Sequence, residues 1–284
     1  MDFLPKDEIK INNFYLFVEY IIYPILQAYY NINITGLENL PNTNKSVIFI
    51  SRHSTHNYEI IPGILTLNKY LQTPIRGIGH YFVNILCPYY RKLGVVIGTR
   101  DRLNELINNK EPIFILPGGA EEMTYGHENA YKFYWNSKSG KLRTGFVKMA
   151  LKNDIDIIPL VGQNTEEMVF APLIYIANKL KITKYYSLIE NKVCNKYLKI
   201  ILHIIKLLYV VVFGTMLIIL IPVPVTFHVC KPIRKIKCGE SIEDYTKYCK
   251  LEMEFLYYQK NKRYEKNIHN ALYSRFIYSD SYSK

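Results

Sequence analysis

Residues 46–54 read Ser-Val-Ile-Phe-Ile-Ser-Arg-His-Ser, a short β-branched and apolar run followed at once by polar side chains. Such a run is typical of a β-strand that is buried on both faces of a sheet. In open α/β sheets, functional groups collect in the loops that follow the carboxyl ends of parallel strands. The loop that begins at Ser51 is therefore the first candidate for a functional site.

Further strand and helix patterns alternate along the chain. Strand patterns recur at residues 75–79, 94–97, 112–116, 156–161 and 223–229. Between several of them lie helical patterns, at residues 101–108 and 142–151, whose apolar side chains share one face. This alternation predicts an α/β fold with a mostly parallel central sheet flanked by helices.

Three more strand patterns end in residues that are suited to a functional site. Residues 93–100 end in Gly98-Thr99-Arg100, residues 113–122 run into a Pro117-Gly118-Gly119 turn followed by Glu121 and Glu122, and residues 157–164 end in Gln163-Asn164. Glycines let backbone N–H groups approach a ligand closely, and such a turn could donate to a developing oxyanion. Any one of these ends is ordinary, but four in order indicate a site.

The chemistry that residues 53–59 could perform depends on their local conformation. On a regular helix His56 and Glu59 would be neighbours, whereas His53 can meet Glu59 only if the intervening segment is a turn. A histidine supported by a carboxylate can act as a general base. The H-x-x-H-x-x-E series could alternatively bind zinc. The five scattered cysteines form no C-x-x-C pair, which disfavours a zinc ribbon and fits a reducing environment.

The formal net charge of +12 is unevenly distributed, because residues 179–284 alone carry 19 basic and 8 acidic side chains. A basic segment could bind nucleic acid or an anionic membrane surface. The same third of the chain contains the most apolar segment, so a membrane is the favoured partner and no nucleic acid is expected.

Two apolar segments predict membrane association. Residues 13–30 are almost entirely apolar apart from Glu19, and residues 207–222 are uncharged. Both are short for a full span, so we expect an N-terminal hydrophobic helix and a second helix that dips into the membrane. The predicted domains are a membrane-associated helix at residues 1–35, a catalytic domain at residues 36–260, and a basic, polar tail at residues 261–284.

Taken in order, these motifs resemble those of the glycerolipid acyltransferase superfamily, the PlsC-like acyltransferases. The series is strand–His-x5-acid, Gly…Arg, Pro-Gly-Gly-Ala-x-Glu and Ile-Ile-Pro-Leu. The likeness runs from about residue 36 to residue 260. It is similar to the branch of type 2 diacylglycerol acyltransferases, phytyl ester synthases and transmembrane protein 68, on the further evidence of Trp135 and of residues 143–150, 222–225 and 231–233.

The resemblance implies acyl transfer from acyl-CoA to a lipid alcohol on the cytosolic side of the endoplasmic reticulum membrane, as in triacylglycerol biosynthesis. His53 would be the general base and Glu59 its orienting acid. The expected substrate-binding residues are Gly98, Arg100, Pro117, Gly118, Gly119 and Glu122. The expected partners are acyl-CoA as co-substrate, a neutral lipid acceptor and the membrane, with no cofactor and no metal.

Two departures from the family pattern modify this expectation. The family acid is usually Asp, whereas position 59 is Glu. Members that make phospholipids carry Glu-Gly-Thr-Arg where this chain has Gly118-Gly119-Ala120-Glu121, and the missing arginine removes a phosphate partner. A neutral acceptor is therefore favoured, with a lysophospholipid acyltransferase or a catalytically weakened lipid-binding protein as alternatives. A hydrolase is disfavoured because no G-x-S-x-G elbow is present.

Overall fold

The chain is described from a computed structural model. The structure describes residues 6–40, 46–54, 58–71, 73–79, 89–119, 122, 131–137, 139–170, 172, 176, 180–182, 185, 188–189, 192–202, 205 and 218–261.

A seven-stranded sheet forms the centre of the molecule. Its strands are β1 (Asn33–Thr35), β2 (Val47–Ile50), β3 (Arg76–Gly79), β4 (Val96–Ile97), β5 (Ile113–Ile115), β6 (Asp156–Gln163) and β9 (Thr226–Val229), in the order β1-β9-β6-β2-β5-β3-β4. All neighbours pair in parallel except β6 and β9, which are antiparallel. The predicted mostly parallel sheet is confirmed, as is each of its predicted strands.

Helices flank the sheet. They are α1 (Lys6–Ile11), α2 (Asn13–Phe17), α3 (Tyr23–Tyr29), α4 (Ile60–Asn68), α5 (Tyr89–Lys92), α6 (Arg100–Asn108), α7 (Gly145–Lys152) and α8 (Ile242–Lys260). Short 3-10 turns lie at Leu37–Asn39 and Glu166–Met168, and a separate pair of strands, β7 (Val169–Phe170) and β8 (Ile219–Leu220), lies outside the main sheet.

The central strands are apolar throughout because both of their faces are covered. On β2, Ile48 and Ile50 belong to the core that includes α7 and α8, whereas Val47 and Phe49 belong to the core on the opposite face, with α4. All four residues of β2 are buried. A strand that is covered on both faces reads as a continuous apolar run, which is why the sequence pattern identified it.

The N-terminal apolar segment is helical from Asn13 to Tyr29, but it is not one regular α-helix. It consists of α2, a π-helical turn at Val18–Ile22 and α3, which begins next to Pro24, with no break in the helical backbone. The wider turn fits there because proline lacks the N–H that a regular helix needs from it. In the part of the chain that is described, no helix combines the length and apolar character that a membrane span requires.

The second apolar prediction, at residues 207–222, falls mainly on residues outside the described part of the chain. Its described end is not helical, since Ile219 and Leu220 form β8 and pair with β7. Pro222 and Pro224 follow directly, and proline is incompatible with a continuing helix. The predicted tail lies outside the described residues from position 262 onward.

Strand β1 and helix α8 are among the elements that were not predicted. Strand β1 pairs in parallel with β9 and extends the sheet by one strand. Helix α8 packs on β6 and α7 through a buried stripe at Tyr245, Cys249, Met253 and Tyr257. The four-residue spacing of this stripe and the cap at Ser241 are sequence signals that could have revealed the helix.

Candidate functional site

The order of the strands brings three of the predicted motifs together. Strand β2 lies between β5 and β6, and all three run in the same direction. The His53 loop is therefore flanked by the Pro117-Gly118-Gly119 turn after β5 and by the residues that follow Gln163 in β6. Neighbouring strands are separated by about 4.8 Å, so side chains from these three ends can meet.

Gly98 and Arg100 lie further away, at the end of the edge strand β4, with β3 and β5 between them and β2. A methyl group added to Gly98 would lie 2.7 Å from the Cγ2 atom of Ile78, so this glycine permits close packing of β4 on β3. Arg100 is an exposed residue at the start of α6. Their predicted role in binding substrate remains a prediction.

Each of the four backbone amides from Ser51 to Ser54 donates to a different part of the molecule. The N–H of Ser51 donates to the carbonyl of Ile115, and that of Arg52 to the hydroxyl of Tyr257 at 3.4 Å. The N–H of His53 donates to Glu122 and that of Ser54 to Glu59. Each residue from Ser51 to Ser54 is thus held in place by its backbone amide.

Glu59 is buried and lies immediately before the first residue of α4. Its Oε1 accepts from the N–H of Ser54 at 2.8 Å, and its Oε2 accepts from the hydroxyl of Ser54. Burial raises the pKa of the Glu59 carboxyl, and the hydrogen bonds from Ser54 oppose this shift. The structure therefore joins Glu59 to the residue after His53, and direct support of the imidazole by Glu59 remains a prediction.

Glu122 is also buried, and its carboxylate connects two loops. Its Oε2 accepts from the N–H of His53 at 3.1 Å, and its Oε1 accepts from the N–H of Tyr134 at 2.9 Å. A methyl group on Gly118 would lie 1.8 Å from the carboxyl carbon of Glu122, so a side chain at position 118 would displace this carboxylate. Burial raises the pKa of Glu122, whereas Arg52, the two amides and Arg143 lower it.

Arg143 contacts the other side of the glycine turn. One of its guanidinium nitrogens donates to the carbonyl oxygens of Gly118 and Pro117, the latter at 3.3 Å. Gly119 has a positive φ of 61°, and its N–H closes the turn on the carbonyl of Leu116. The turn that was predicted to bind substrate is therefore extensively bonded to the protein itself.

A buried arginine precedes the candidate base. The Arg52 guanidinium forms a buried ion pair with Glu166, which follows β6, and donates to the carbonyl of Lys132 at 2.8 Å. Its charge also lies 5.9 Å from the ring centre of Tyr131. Because a buried charge needs a partner, this pair ties the end of β2 to the loop after β6.

Among the described residues, no group of three or more His, Cys, Asp or Glu side chains is arranged to hold a metal ion. His56, the middle member of the alternative zinc series, lies outside the described residues.

The sequence reasoning missed Arg52, Ser54 and Tyr257 as parts of this site. Arg52 could have been noticed as an arginine directly after a strand that is buried on both faces. Ser54 gave no signal beyond its position beside His53. Tyr257 reaches the site from α8, about two hundred residues along the chain, and no local pattern indicates that contact.

Comparison with known proteins agrees with the motifs. A model of the family described as Diacylglycerol acyltransferase matches residues 38–269. The chain is 24% identical over 143 residues to phytyl ester synthase 2, chloroplastic, of Arabidopsis thaliana, a match that covers 46% of this chain and 20% of that protein. The matched region is thus about a fifth of the length of that relative.

The chain is also similar to a solved structure, the 1-acyl-sn-glycerophosphate acyltransferase PlsC from Thermotoga maritima. The TM-score is 0.46 at 11% identity, over 88% of this chain and 85% of that chain. The family match covers most of the sequence and contains the His53 loop, the glycine turn and the strand after it. The chain belongs to the Diacylglycerol acyltransferase family.

Proposed function

We propose that this protein transfers a fatty acyl group from acyl-CoA to a neutral lipid alcohol, with His53 as the general base. The acceptor would be a monoacylglycerol, a diacylglycerol or a long-chain alcohol. The observation that carries the proposal is the position of His53 in a chain of this family. His53 follows the central strand β2, and the backbone amides of residues 51–54 each donate to a different acceptor.

In the proposed reaction the neutral imidazole of His53 takes the proton from the acceptor hydroxyl while the hydroxyl oxygen attacks the thioester carbonyl carbon. The tetrahedral intermediate then breaks its C–S bond and releases the CoA thiolate. The imidazolium returns its proton to the thiolate, so the products are an ester and CoA, and His53 is regenerated. The step needs no cofactor, because acyl-CoA already carries an activated acyl group.

We propose that Glu59 is the acid that supports His53 in its role as the base. Its hydrogen bonds with Ser54 favour a role exerted through the backbone next to His53. A glutamate is one methylene longer than the usual aspartate, and this extra length fits a carboxylate that reaches both the amide and the hydroxyl of Ser54.

Two arginines near His53 favour a neutral acceptor. Arg52 is paired with Glu166, and Arg143 donates to the carbonyls of the glycine turn. Both guanidinium groups thus have strong acceptors within the protein, which disfavours their use as phosphate ligands. Arg100 is exposed, and it is the residue that favours the alternative, a lysophospholipid acyltransferase.

We further propose that the protein works at the endoplasmic reticulum membrane with its site facing the cytosol. The fatty acyl chains of both substrates are apolar, and α2, the π-helical turn and α3 present exposed apolar side chains at Phe17, Ile21 and Ile25. Such a surface fits an interfacial position.

The test is turnover of labelled oleoyl-CoA with dioleoylglycerol in detergent micelles, for the full chain and for His53→Ala. We expect the variant to lose about 10²–10⁴ in rate. His228→Gln is the matched control, since His228 lies in β9 and its replacement should leave turnover at pH 7.5 within about twofold.

Equal turnover by the wild-type protein and His53→Ala would refute the assignment of the base. Release of free fatty acid without an acceptor would indicate a hydrolase. Preference for lysophosphatidate would favour the phospholipid alternative, and binding of oleoyl-CoA without turnover would favour a lipid-binding protein.

A further inference from the structure

We propose that Glu122 is a positioning residue of this reaction. It accepts a hydrogen bond from the backbone amide of His53 and so fixes the position from which the imidazole side chain extends. This inference rests on the proposed function. It assigns to the Pro-Gly-Gly-x-x-Glu motif the task of placing the base, instead of the binding of substrate.

The two oxygens of Glu122 are already used within the protein. One accepts from His53 and the other from Tyr134, and only 1% of the residue is exposed. Because the residue is buried, a substrate could reach this carboxylate only if the surrounding protein moved, and its two charge-assisted hydrogen bonds, which are about twice as strong as neutral ones, hold it in place. The geometry therefore suits a support and not a binding group.

The glycine turn supplies the space for this support. The absent side chain of Gly118 leaves room for the carboxylate, and Arg143 fixes the turn by binding the Gly118 carbonyl. The motif thus behaves as one unit, in which the glycine admits the acid and the acid binds the loop of the neighbouring strand.

Glu59 performs the equivalent task on the next residue. Glu122 accepts from the N–H of His53 and Glu59 from the N–H of Ser54, so two buried carboxylates from different elements bind consecutive amides. The Cα atom of His53 lies between these two amides, so movement of either amide changes the backbone angles of His53 and displaces its side chain. A displacement of about 1 Å can cost 10²-fold in rate.

The experiment compares kcat and KM of Glu122→Gln and Glu122→Asp with the wild-type protein in the oleoyl-CoA and dioleoylglycerol assay. Glutamine keeps the shape but turns one acceptor oxygen into an NH2 donor, which opposes an N–H group. Aspartate keeps the charge but is too short to reach both amides. We expect both variants to lose about 10–100-fold in kcat, with KM for oleoyl-CoA within about twofold.

The matched control is Glu111→Gln. Glu111 is as buried as Glu122 but pairs with Arg76 at the opposite end of the sheet. Loss of this buried pair should lower the melting temperature and leave kcat at 20 °C within about twofold. A merely structural role of Glu122 would make the two glutamine variants behave alike.

Hydrogen exchange supplies a readout that does not depend on turnover. The amide of His53 should exchange at least about tenfold faster in Glu122→Gln than in the wild-type protein. Unchanged exchange, or an equal loss of kcat in Glu122→Gln and Glu111→Gln, would overturn the inference. An inactive wild-type protein would instead overturn the proposed function, and exchange would still decide whether Glu122 holds His53.

Discussion

His228 is a buried histidine with a hydrogen-bond partner on each ring nitrogen. Its Nδ1 lies 2.7 Å from the hydroxyl of Thr35, and its Nε2 lies 2.9 Å from Oε1 of Gln163. Burial, with a smaller effect of the Lys260 ammonium, lowers the pKa of His228 to about 4. The imidazole is therefore neutral at physiological pH and joins β1, β9 and β6 at one point.

This histidine makes stability depend on pH. In the unfolded chain a histidine has a pKa of about 6.5. The unfolded state therefore binds the proton first, so the stabilisation is complete above about pH 6.5 and is lost as the pH falls towards 4. We expect the melting temperature of the wild-type protein to fall more steeply over this range than that of His228→Gln. If the melting temperatures of the two proteins fell by the same amount between pH 7 and pH 4, this assignment would be contradicted.

The residues of the site differ in how far they could be predicted. His53 and Glu122 were identifiable because each follows a clear strand pattern, and Glu59 because of its spacing to His53 in the His-x5-acid series. Their partners were not, since the contact between Glu122 and His53 joins positions 69 residues apart in sequence. Periodicity describes which face a residue occupies and carries no information on which amide a carboxylate will reach.

At the scale of elements, helix α8 connects the outer layer of the fold with the candidate site. Its last turn carries Tyr257, whose hydroxyl lies 3.0 Å from the Ser51 hydroxyl and 3.4 Å from the N–H groups of Arg52 and Gly162. This single hydroxyl joins the end of β2 to β6. Burial raises the pKa of Tyr257, so the group stays a neutral phenol.

Tyr257→Phe should therefore weaken the fold and the site together. The ring would still pack against Phe133, but the Ser51 hydroxyl and two amides would lose a partner. We expect a loss of about 1–3 kcal/mol in the free energy of unfolding, measured by urea denaturation, and a fall in kcat.

The neighbouring residue provides the control for this variant. Tyr258 is 72% exposed, and Tyr258→Phe should change stability by no more than about 0.5 kcal/mol. Equal stability of the two variants would show that the Tyr257 hydroxyl contributes nothing to the joint between β2 and β6.

At the scale of the whole molecule, the basic charge of the C-terminal third is partly neutralised within the fold. Arg234 forms two hydrogen bonds with Glu240, and Lys235 pairs with Asp154 and Asp156. Arg234 and its hydrogen bonds lower the pKa of Glu240 to about 2. Of the basic residues between positions 231 and 237, Lys231 and Lys237 are thus the ones we expect to face anionic headgroups.

The apolar surface of α2, the π-helical turn and α3 is the feature that we expect to dominate membrane association. Tyr15, Val18 and Tyr23 face the protein, whereas Phe17, Ile21 and Ile25 are each at least half exposed. The sequence predicted an apolar helix here. The π-helical turn within this helix could not be read from hydropathy, which carries no information on local hydrogen bonding.

Replacing Phe17, Ile21 and Ile25 together by serine should therefore weaken binding to neutral phosphatidylcholine vesicles at least about tenfold, since each buried apolar side chain contributes up to about 1.5–3 kcal/mol. Flotation at 0.5 M salt isolates this apolar contribution, because salt screens the basic residues. The control replaces Leu251 and Phe255, which are similarly exposed on α8, by serine. If the α8 variant loses binding and the N-terminal variant does not, the membrane-facing surface lies on α8, and our orientation of the molecule at the membrane is wrong.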